Sequence, residues 1–254
     1  MSHPSKPAAA SQVPNASEAP ALDLREKGGS KDGRPQTSDR RLFMQLTAFS
    51  GCRNTAALAR ILADSGLDAV LYEEANDPTG VAVLSMAVDP ADLVTKFRPV
   101  LQEGPFEDLR LKPEFSMLGR TYALGYEPRL EDWLLHRPRR MVLDPTTSWA
   151  VWYPLRRTGA FARLPRPEQQ QILKEHGIIG RRFGEAGLAL DIRLACHGLD
   201  KDDNDFVIGL VGKDLFALSA LIETMRATVQ TSQYLASIGP FFVGRAAWRS
   251  PAKA

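Results

Sequence analysis

The chain has 254 residues, of which 44% are hydrophobic and 24% charged, a composition typical of soluble globular proteins. Thirty-two basic and 30 acidic side chains leave a net charge of +2. This near balance gives no reason to expect a nucleic acid or a membrane surface as the main partner. The two cysteines, Cys52 and Cys196, cannot build a disulfide framework or a CxxC metal site. No apolar run approaches the ~18 residues of a membrane span.

Residues 1–39 are rich in Pro, Ala, Ser, Gly and charge, and contain almost no bulky apolar side chains. Such a segment cannot bury enough apolar surface to offset the entropy lost on ordering, so we predict a disordered tail over residues 1–39. The tail also lacks the apolar core of a signal peptide. Together with the low cysteine content, this indicates a cytoplasmic, reducing compartment.

The apolar periodicity from residue 40 onward predicts alternating strands and helices. We expect strands at 42–49, 69–73, 81–88 and 115–124. Asn54 and Asp89 have N-cap side chains and are expected to begin two helices. The order βαββαβ is that of a ferredoxin-like unit. Residues 125–147 are rich in Pro and Arg and are predicted to form an irregular connection. Its basic residues His136, Arg137, Arg139 and Arg140 are interpreted as a solvated stretch, and contact with propionates or a neighbouring subunit is the alternative.

The second half repeats this order, with strands expected at 148–155, 188–195, 205–211 and 240–247. Helices are expected at 167–176, where Gly177 follows the last residue, and at 213–228. We therefore predict an α+β protein with two ferredoxin-like units, residues 40–147 including the connector and residues 148–254. Two such sheets can bury each other, which gives a dimeric α+β barrel within one chain.

Four stretches of the second half resemble the chlorite dismutase family, which includes the coproheme decarboxylases. They are WYPLRR at 152–157, KEHGIIGRRF at 174–183, HGLDKDDNDFVIGL at 197–210, and QTSQYLASIGPFFVG at 230–244. The resemblance implies an iron porphyrin, haem b or coproheme, bound by the unit of residues 148–254, and a homopentamer. Because neither cysteine lies in a CxxCH motif, the porphyrin would be held non-covalently.

His176 matches the family's axial iron ligand, and a neutral imidazole is a common ligand of haem iron. Judged without the resemblance, it would be a histidine favoured by the dipole at a helix C-terminus. Gln230 matches the position of a glutamate that is the partner of this histidine in the family. An uncharged amide pushes less electron density into the imidazole, which counts against efficient peroxidase or chlorite-splitting chemistry.

Tyr153 matches the tyrosine of coproheme decarboxylases that lies near a reactive propionate and forms the radical that removes a propionate hydrogen. Arg157 replaces the family's lysine at the end of the same stretch. Arg156 or Arg157 can pair bidentately with a propionate carboxylate, although neither readily donates a proton. The ordinary alternatives are a half-buried strand aromatic and two solvated arginines.

The residue on the distal side of the iron depends on the register. Counting back from Gly198 gives Asp191, whereas counting forward from His176 gives Ala189. Arg193 lies two residues along the same strand face as Asp191. Asp191 could act as a general base toward hydrogen peroxide, and Arg193 could stabilise an anionic oxidant such as chlorite. A purely structural ion pair between the two is the alternative.

These observations predict a haem-dependent oxidoreductase, most concretely one that decarboxylates coproheme with peroxide in haem biosynthesis. Haem peroxidase or chlorite dismutase-type activity on the same fold is one alternative. A non-catalytic haem-binding or haem-transfer protein is another, and a member of the fold without haem is the last.

Overall fold

The computed structural model describes residues 21–251. It begins with a hairpin of β1 (Glu26–Lys31) and β2 (Arg34–Ser38), so the predicted disorder of residues 1–39 is wrong over this stretch, and residues 1–20 lie outside the described part. Polar contacts hold the hairpin. The Glu26 carboxylate accepts hydrogen bonds from the Arg41 and Arg120 guanidiniums at 2.9 and 3.1 Å. The Gln36 amide donates to the Gly29 carbonyl at 2.9 Å. Composition could not reveal this order, because little of it comes from apolar burial.

The first unit follows the predicted order of strands and helices. Its elements are β3 (Phe43–Ser50), α1 (Thr55–Ser65), β4 (Ala69–Glu74), β5 (Val81–Ala87), a π-helical turn (Leu93–Phe97) that continues into α2 (Arg98–Val100), a 3-10 turn (Gly104–Phe106), β6 (Arg110–Leu111), a second 3-10 turn (Pro113–Phe115) and β7 (Met117–Arg120). Asn54 caps α1, as expected, by accepting a hydrogen bond from the Ala57 amide at 3.1 Å. Asp89 accepts one from the Ala91 amide at 2.9 Å.

The connector is helical, so the prediction of an irregular loop at residues 125–147 is wrong. A π-helical turn (Asp132–His136) leads into α3 (Arg137–Leu143). Four apolar side chains drive this structure because they are buried in the main core: Leu134, Leu135, Met141 and Val142. The basic residues are largely paired rather than solvated, since Arg139 bonds to Asp68 at 3.2 Å and Arg140 to Asp132 at 2.6 Å.

The second unit also follows the predicted order. Its elements are β8 (Trp149–Arg157), α4 (Gly159–Arg163), α5 (Arg166–Glu185), β9 (Leu190–Ala195), β10 (Phe206–Gly212), α6 (Leu215–Arg226), α7 (Val229–Tyr234), β11 (Leu235–Ile238) and β12 (Phe242–Arg249). The predicted helix end at Gly177 is wrong, because α5 continues to Glu185. Ile179 and Phe183 pack against a buried apolar cluster, and this packing outweighs the small cost of glycine within a helix.

The two units close into one barrel. The first has the strand order β7-β3-β5-β4 and the second β12-β8-β10-β9, and the units join through the pairs β4–β12 and β7–β9. The predicted α+β fold with two ferredoxin-like units is therefore confirmed. Within residues 21–251, no helix has both the length and the apolar character needed to cross a membrane.

Side chains alternate between the barrel interior and an outer face that the helices cover. In β8, Ala150 and Trp152 belong to the interior core. Val151, Tyr153 and Leu155 belong to the cluster against α5 and α6. A second outer cluster lies under α1 and α2. The period of two along β8 therefore assigns its residues alternately to the core and to the face beneath α5 and α6.

Gly209 lies against Trp152, the largest interior side chain, and replacing Gly209 tests this packing. A Cβ at this position would lie 2.4 Å from the Trp152 ring. We expect Gly209→Ala to lower the free energy of unfolding by about 1–3 kcal/mol, as overpacking does. Gly177→Ala is the control. It lies in α5 with nothing within 4 Å of the added Cβ and should stabilise by about 0.5–1 kcal/mol. Urea unfolding measures both, and equal stability of Gly209→Ala and wild type would contradict the packing.

Candidate functional site

Three of the predicted site residues lie on the outer face of neighbouring strands. In the registers of β8, β10 and β9, Ile208 stands opposite both Tyr153 and Arg193. In the next row, Leu210 stands opposite Asp191. The structure therefore brings Tyr153, Asp191 and Arg193 together beneath α5. Ala189 precedes β9 and is 2% exposed within the apolar cluster of the same face, so of the two registers only Asp191 offers a polar side chain.

His176 lies on the face of α5 that also carries Ile179 and Phe183, three and seven residues later. Its Nδ1 is 3.4 Å from the Thr228 hydroxyl oxygen. That hydroxyl also lies 2.8 Å from the Met225 carbonyl and 3.3 Å from the Thr231 hydroxyl, so when its proton goes to either of these it accepts from the Nδ1–H tautomer of His176. The free lone pair of the imidazole is then on Nε2, the arrangement of a metal-binding histidine.

Thr228, rather than the expected Gln230, is the hydrogen-bond neighbour of His176. Gln230 lies in α7 and is buried, and its side-chain oxygen has no hydrogen-bond partner within the described residues. Thr228 ends the loop after α6 and caps α7 by accepting from the Thr231 amide. The resemblance to the family did not indicate Thr228, because a threonine that caps a helix cannot be distinguished in sequence from one that also bonds to a histidine.

His176 is neutral at physiological pH. Its pKa is lowered from 6.5 to about 4, chiefly by burial and also by the positive charges of Arg193 and Arg157, against the opposing effect of Asp191 and Glu175. A neutral imidazole is the form that binds iron.

Arg157 is a half-buried cation whose guanidinium forms no ion pair within residues 21–251. Its guanidinium lies over the rings of Phe161 and Phe206, at 4.7 and 4.6 Å from their centroids. Its Nε is buried with no hydrogen-bond partner within residues 21–251, and no carboxylate oxygen of that range lies within 4.0 Å of the guanidinium nitrogens. Arg156 donates instead to the Asp202 carbonyl in the β9–β10 turn. An unpaired guanidinium in such surroundings is suited to a carboxylate ligand.

Asp191 is already paired. Arg193 Nε lies 3.0 Å from one carboxylate oxygen and Arg137 Nη2 lies 3.7 Å from the other. The ion pair between Asp191 and Arg193 that the sequence left as an alternative is therefore present. Arg137 was not recognised from sequence as part of the site, because its segment was interpreted as a solvated loop.

Tyr122 is a further residue that sequence reasoning missed. It follows β7, and its ring lies 5.7 Å from the Phe206 ring. Burial raises the pKa of its phenol, while the charges of Arg193 and Arg157 act to lower it. Tyr122 therefore belongs to the same electrostatic cluster as the two arginines. Its position at the end of a first-unit strand gave no hint of this, because the contact arises from the pairing of the two units.

The donor set fits an iron porphyrin. The facing surfaces of α5 and the sheet carry a neutral imidazole, a guanidinium without an ion pair in residues 21–251 that could bind a propionate, and the apolar side chains Ile179, Phe183 and Ile208. None of the 20 residues of α5 is fully buried, although the helix covers the sheet. A flat, apolar ligand between helix and sheet would complete that burial.

Comparisons with known proteins show the family and the fold. The family model described as chlorite dismutase matches residues 109–247. A putative chlorite dismutase is similar at a TM-score of 0.66 and 15% identity, over 83% of this chain and 96% of that one. A haem-binding protein from Thermus thermophilus gives 0.62 and 17%, over 82% and 91%. The chlorite dismutase of Candidatus Nitrospira defluvii in complex with imidazole gives 0.63 and 12%, over 83% and 92%.

The lowered pKa of His176 makes a prediction about stability. The unfolded chain takes up a proton near pH 6.5, which the native imidazole accepts only near pH 4. The free energy of unfolding therefore falls as the pH falls through this window, by on the order of 1 kcal/mol from His176 alone. Urea unfolding at pH 7 and pH 5 should show a smaller decrease for His176→Gln than for wild type. An equal decrease in both proteins would show that the imidazole titrates normally.

Proposed function

This chain belongs to the chlorite dismutase family, whose members are haem-dependent enzymes, and we propose that it binds an iron porphyrin between α5 and the sheet with His176 as axial ligand. The observation that carries the proposal is the state of His176. Its Nδ1 is bonded to Thr228, its pKa is low, and its helix face is directed at the row that contains Arg193 and Tyr153.

We propose coproheme as the porphyrin and peroxide-driven decarboxylation as the reaction. When bound, the iron porphyrin supplies the two-electron chemistry with hydrogen peroxide. Arg157 would bind a propionate carboxylate, since its guanidinium lies over two aromatic rings and forms no ion pair within residues 21–251. Tyr153 lies on the same face of β8, four residues earlier. A porphyrin with additional propionates offers such a guanidinium more carboxylates than haem b does.

Tyr153 has the environment of a hydrogen-atom carrier. The side chain is 7% exposed, and its ring is stacked on Phe241 at 4.6 Å. Burial raises the pKa of its phenol, so the O–H group remains intact at neutral pH. The phenol has no hydrogen-bond partner within residues 21–251, which leaves it free to face a propionate. Tyr153 would give up a hydrogen atom to the oxidant derived from hydrogen peroxide and regain one from the propionate carbon next to the ring. As the bond to the carboxylate breaks, that carbon radical would pass a second electron to the same oxidant, which leaves a vinyl group and carbon dioxide, while the peroxide is reduced to two water molecules.

We propose that Asp191 and Arg193 act on the oxidant. Both point outward from β9 beneath α5, and they would approach a porphyrin from the face that His176 does not occupy. Asp191 would accept the peroxide proton, and Arg193 would stabilise negative charge on the departing oxygen. A cytoplasmic location and a pentameric assembly belong to the same proposal. The two free cysteines, both buried, fit a reducing compartment.

A non-catalytic haem-binding or haem-transfer role is the second candidate. The observation that favours it is Thr228, because a hydroxyl gives the imidazole less electron density than a carboxylate would. Peroxidase or chlorite-splitting activity on the same site requires a strong electron push, and the Thr228 contact counts against both.

Titration of the purified protein with coproheme, followed by hydrogen peroxide, tests the proposal. We expect saturable one-to-one binding in absorption spectra and stepwise mass loss, each step removing carbon dioxide and two hydrogens from a propionate. Binding without mass loss would favour the haem-binding role. Binding of neither coproheme nor haem b would contradict the proposed function.

His176→Ala should lower the affinity for coproheme by at least about tenfold, because the axial ligand is lost. Added imidazole should restore the spectrum of the wild-type complex. His197→Ala is the matched control, since the His197 side chain is 59% exposed and lies beside Asp205. Unchanged affinity and spectrum of His176→Ala would rule out His176 as the ligand.

Tyr153→Phe should bind coproheme as wild type does and lose decarboxylation by at least about a hundredfold, since removing a group that acts only in the transition state lowers kcat and leaves binding. Tyr126→Phe, which changes a tyrosine that is 69% exposed, should retain the parent rate. Product mass after fixed additions of peroxide measures both variants. Decarboxylation by Tyr153→Phe at the parent rate would exclude the radical role.

A further inference from the structure

Three charged side chains from the connector and from β9 form one linked group. The Asp191 carboxylate lies between Arg193, at 3.0 Å from Nε, and Arg137, at 3.7 Å from Nη2. Arg137 Nη1 also donates to the Asp191 backbone carbonyl at 3.3 Å. Two guanidiniums thus share one carboxylate, and the group carries an excess positive charge.

Trp133 holds this group from the connector side. The guanidinium of Arg137 lies 4.6 Å from its ring centroid and that of Arg193 lies 5.9 Å away. The Trp133 indole N–H donates to the Tyr122 carbonyl at 3.0 Å, which fixes the ring. Arg137 is therefore restrained by the tryptophan, the carbonyl and the carboxylate. Arg193 has Asp191 as its one ion-pair partner within the described residues.

We propose that Arg137 is a positioning residue that leaves Arg193 available to a small inorganic anion on the porphyrin face opposite His176. The proposal rests on the proposed function, because the anion would bind beside the porphyrin. A carboxylate that already faces one guanidinium attracts a second less strongly. Without Arg137, the Asp191 carboxylate would attract Arg193 alone and bind it more strongly. The Arg193 guanidinium would then turn less readily toward an anion.

Azide binding to the ferric, haem-loaded protein tests this by absorption spectroscopy. Arg137→Met should raise the azide Kd about fivefold, and Asp191→Asn should lower it about fivefold, each corresponding to roughly 1 kcal/mol. The double variant should behave as Asp191→Asn alone, because Arg137 acts through Asp191. Arg137→Lys, which keeps the charge, should recover part of the wild-type affinity. Arg140→Met, on the same helix but paired with Asp132, should leave the Kd unchanged.

Two results would overturn the proposal. If Arg137→Met leaves the azide Kd unchanged, Arg137 does not influence Arg193. If Arg137→Met weakens azide binding by the same factor with and without the Asp191→Asn substitution, Arg137 acts on the anion directly or through its long-range field.

Urea unfolding of the apoprotein tests the linkage without haem. Arg137→Met and Arg193→Met each leave Asp191 one partner, whereas the double variant leaves a half-buried carboxylate with none. The midpoint of the double variant should therefore fall by more than the sum of the single decreases. Additive decreases would show that the three groups are not coupled. If the wild-type protein binds no haem, the proposed function fails and the anion site with it, while this cycle still decides the coupling.

Discussion

The register of β10 between β8 and β9 determines what the site contains. Ile208 stands opposite Tyr153 on one side and Arg193 on the other. A shift by one residue would turn these side chains into the barrel, because side chains alternate with a period of two. Interior packing prevents that shift. Gly209 stands opposite Trp152, and the absence of a side chain at Gly209 makes room for the indole. Packing on the interior face of the sheet therefore determines which side chains lie on the outer face, where the site is.

Electrostatics joins the two sides of the site. Arg193 and Arg157 both contribute to the low pKa of His176. The same surplus of positive charge that would bind propionates therefore keeps the imidazole deprotonated and able to bind iron. Burial is the larger cause, and it also makes each charge act over a longer distance than it would in water. A site with fewer arginines would hold both the carboxylates and the neutral ligand less well.

Sequence predicted most of the strands and the outward face, because alternation and helix caps are local signals. The caps at Asn54 and Asp89 are examples. The continuation of α5 past Gly177 was missed, since the packing of Ile179 and Phe183 on a distant sheet outweighs a local stop signal. His176 was identified by resemblance alone, whereas its partner Thr228 depends on how the loop after α6 meets α5. Such a contact between separate elements leaves no mark in local sequence patterns.

The connector explains why the oxidant side was the hardest to predict. Leu134 and Leu135 of this segment enter the interior core, while Trp133 and Arg137 reach the Asp191 side of β9. The stretches that resemble the family lie in the second unit and carry the proposed axial ligand and the proposed propionate-binding arginine. The surroundings of Asp191 and Arg193 are completed instead by residues that precede that unit. Counting along β9 could therefore place Asp191 on the outward face, but its second ion-pair partner, Arg137, comes from the connector, where local sequence gave no sign of the helix that buries Leu134 and Leu135 in the barrel core.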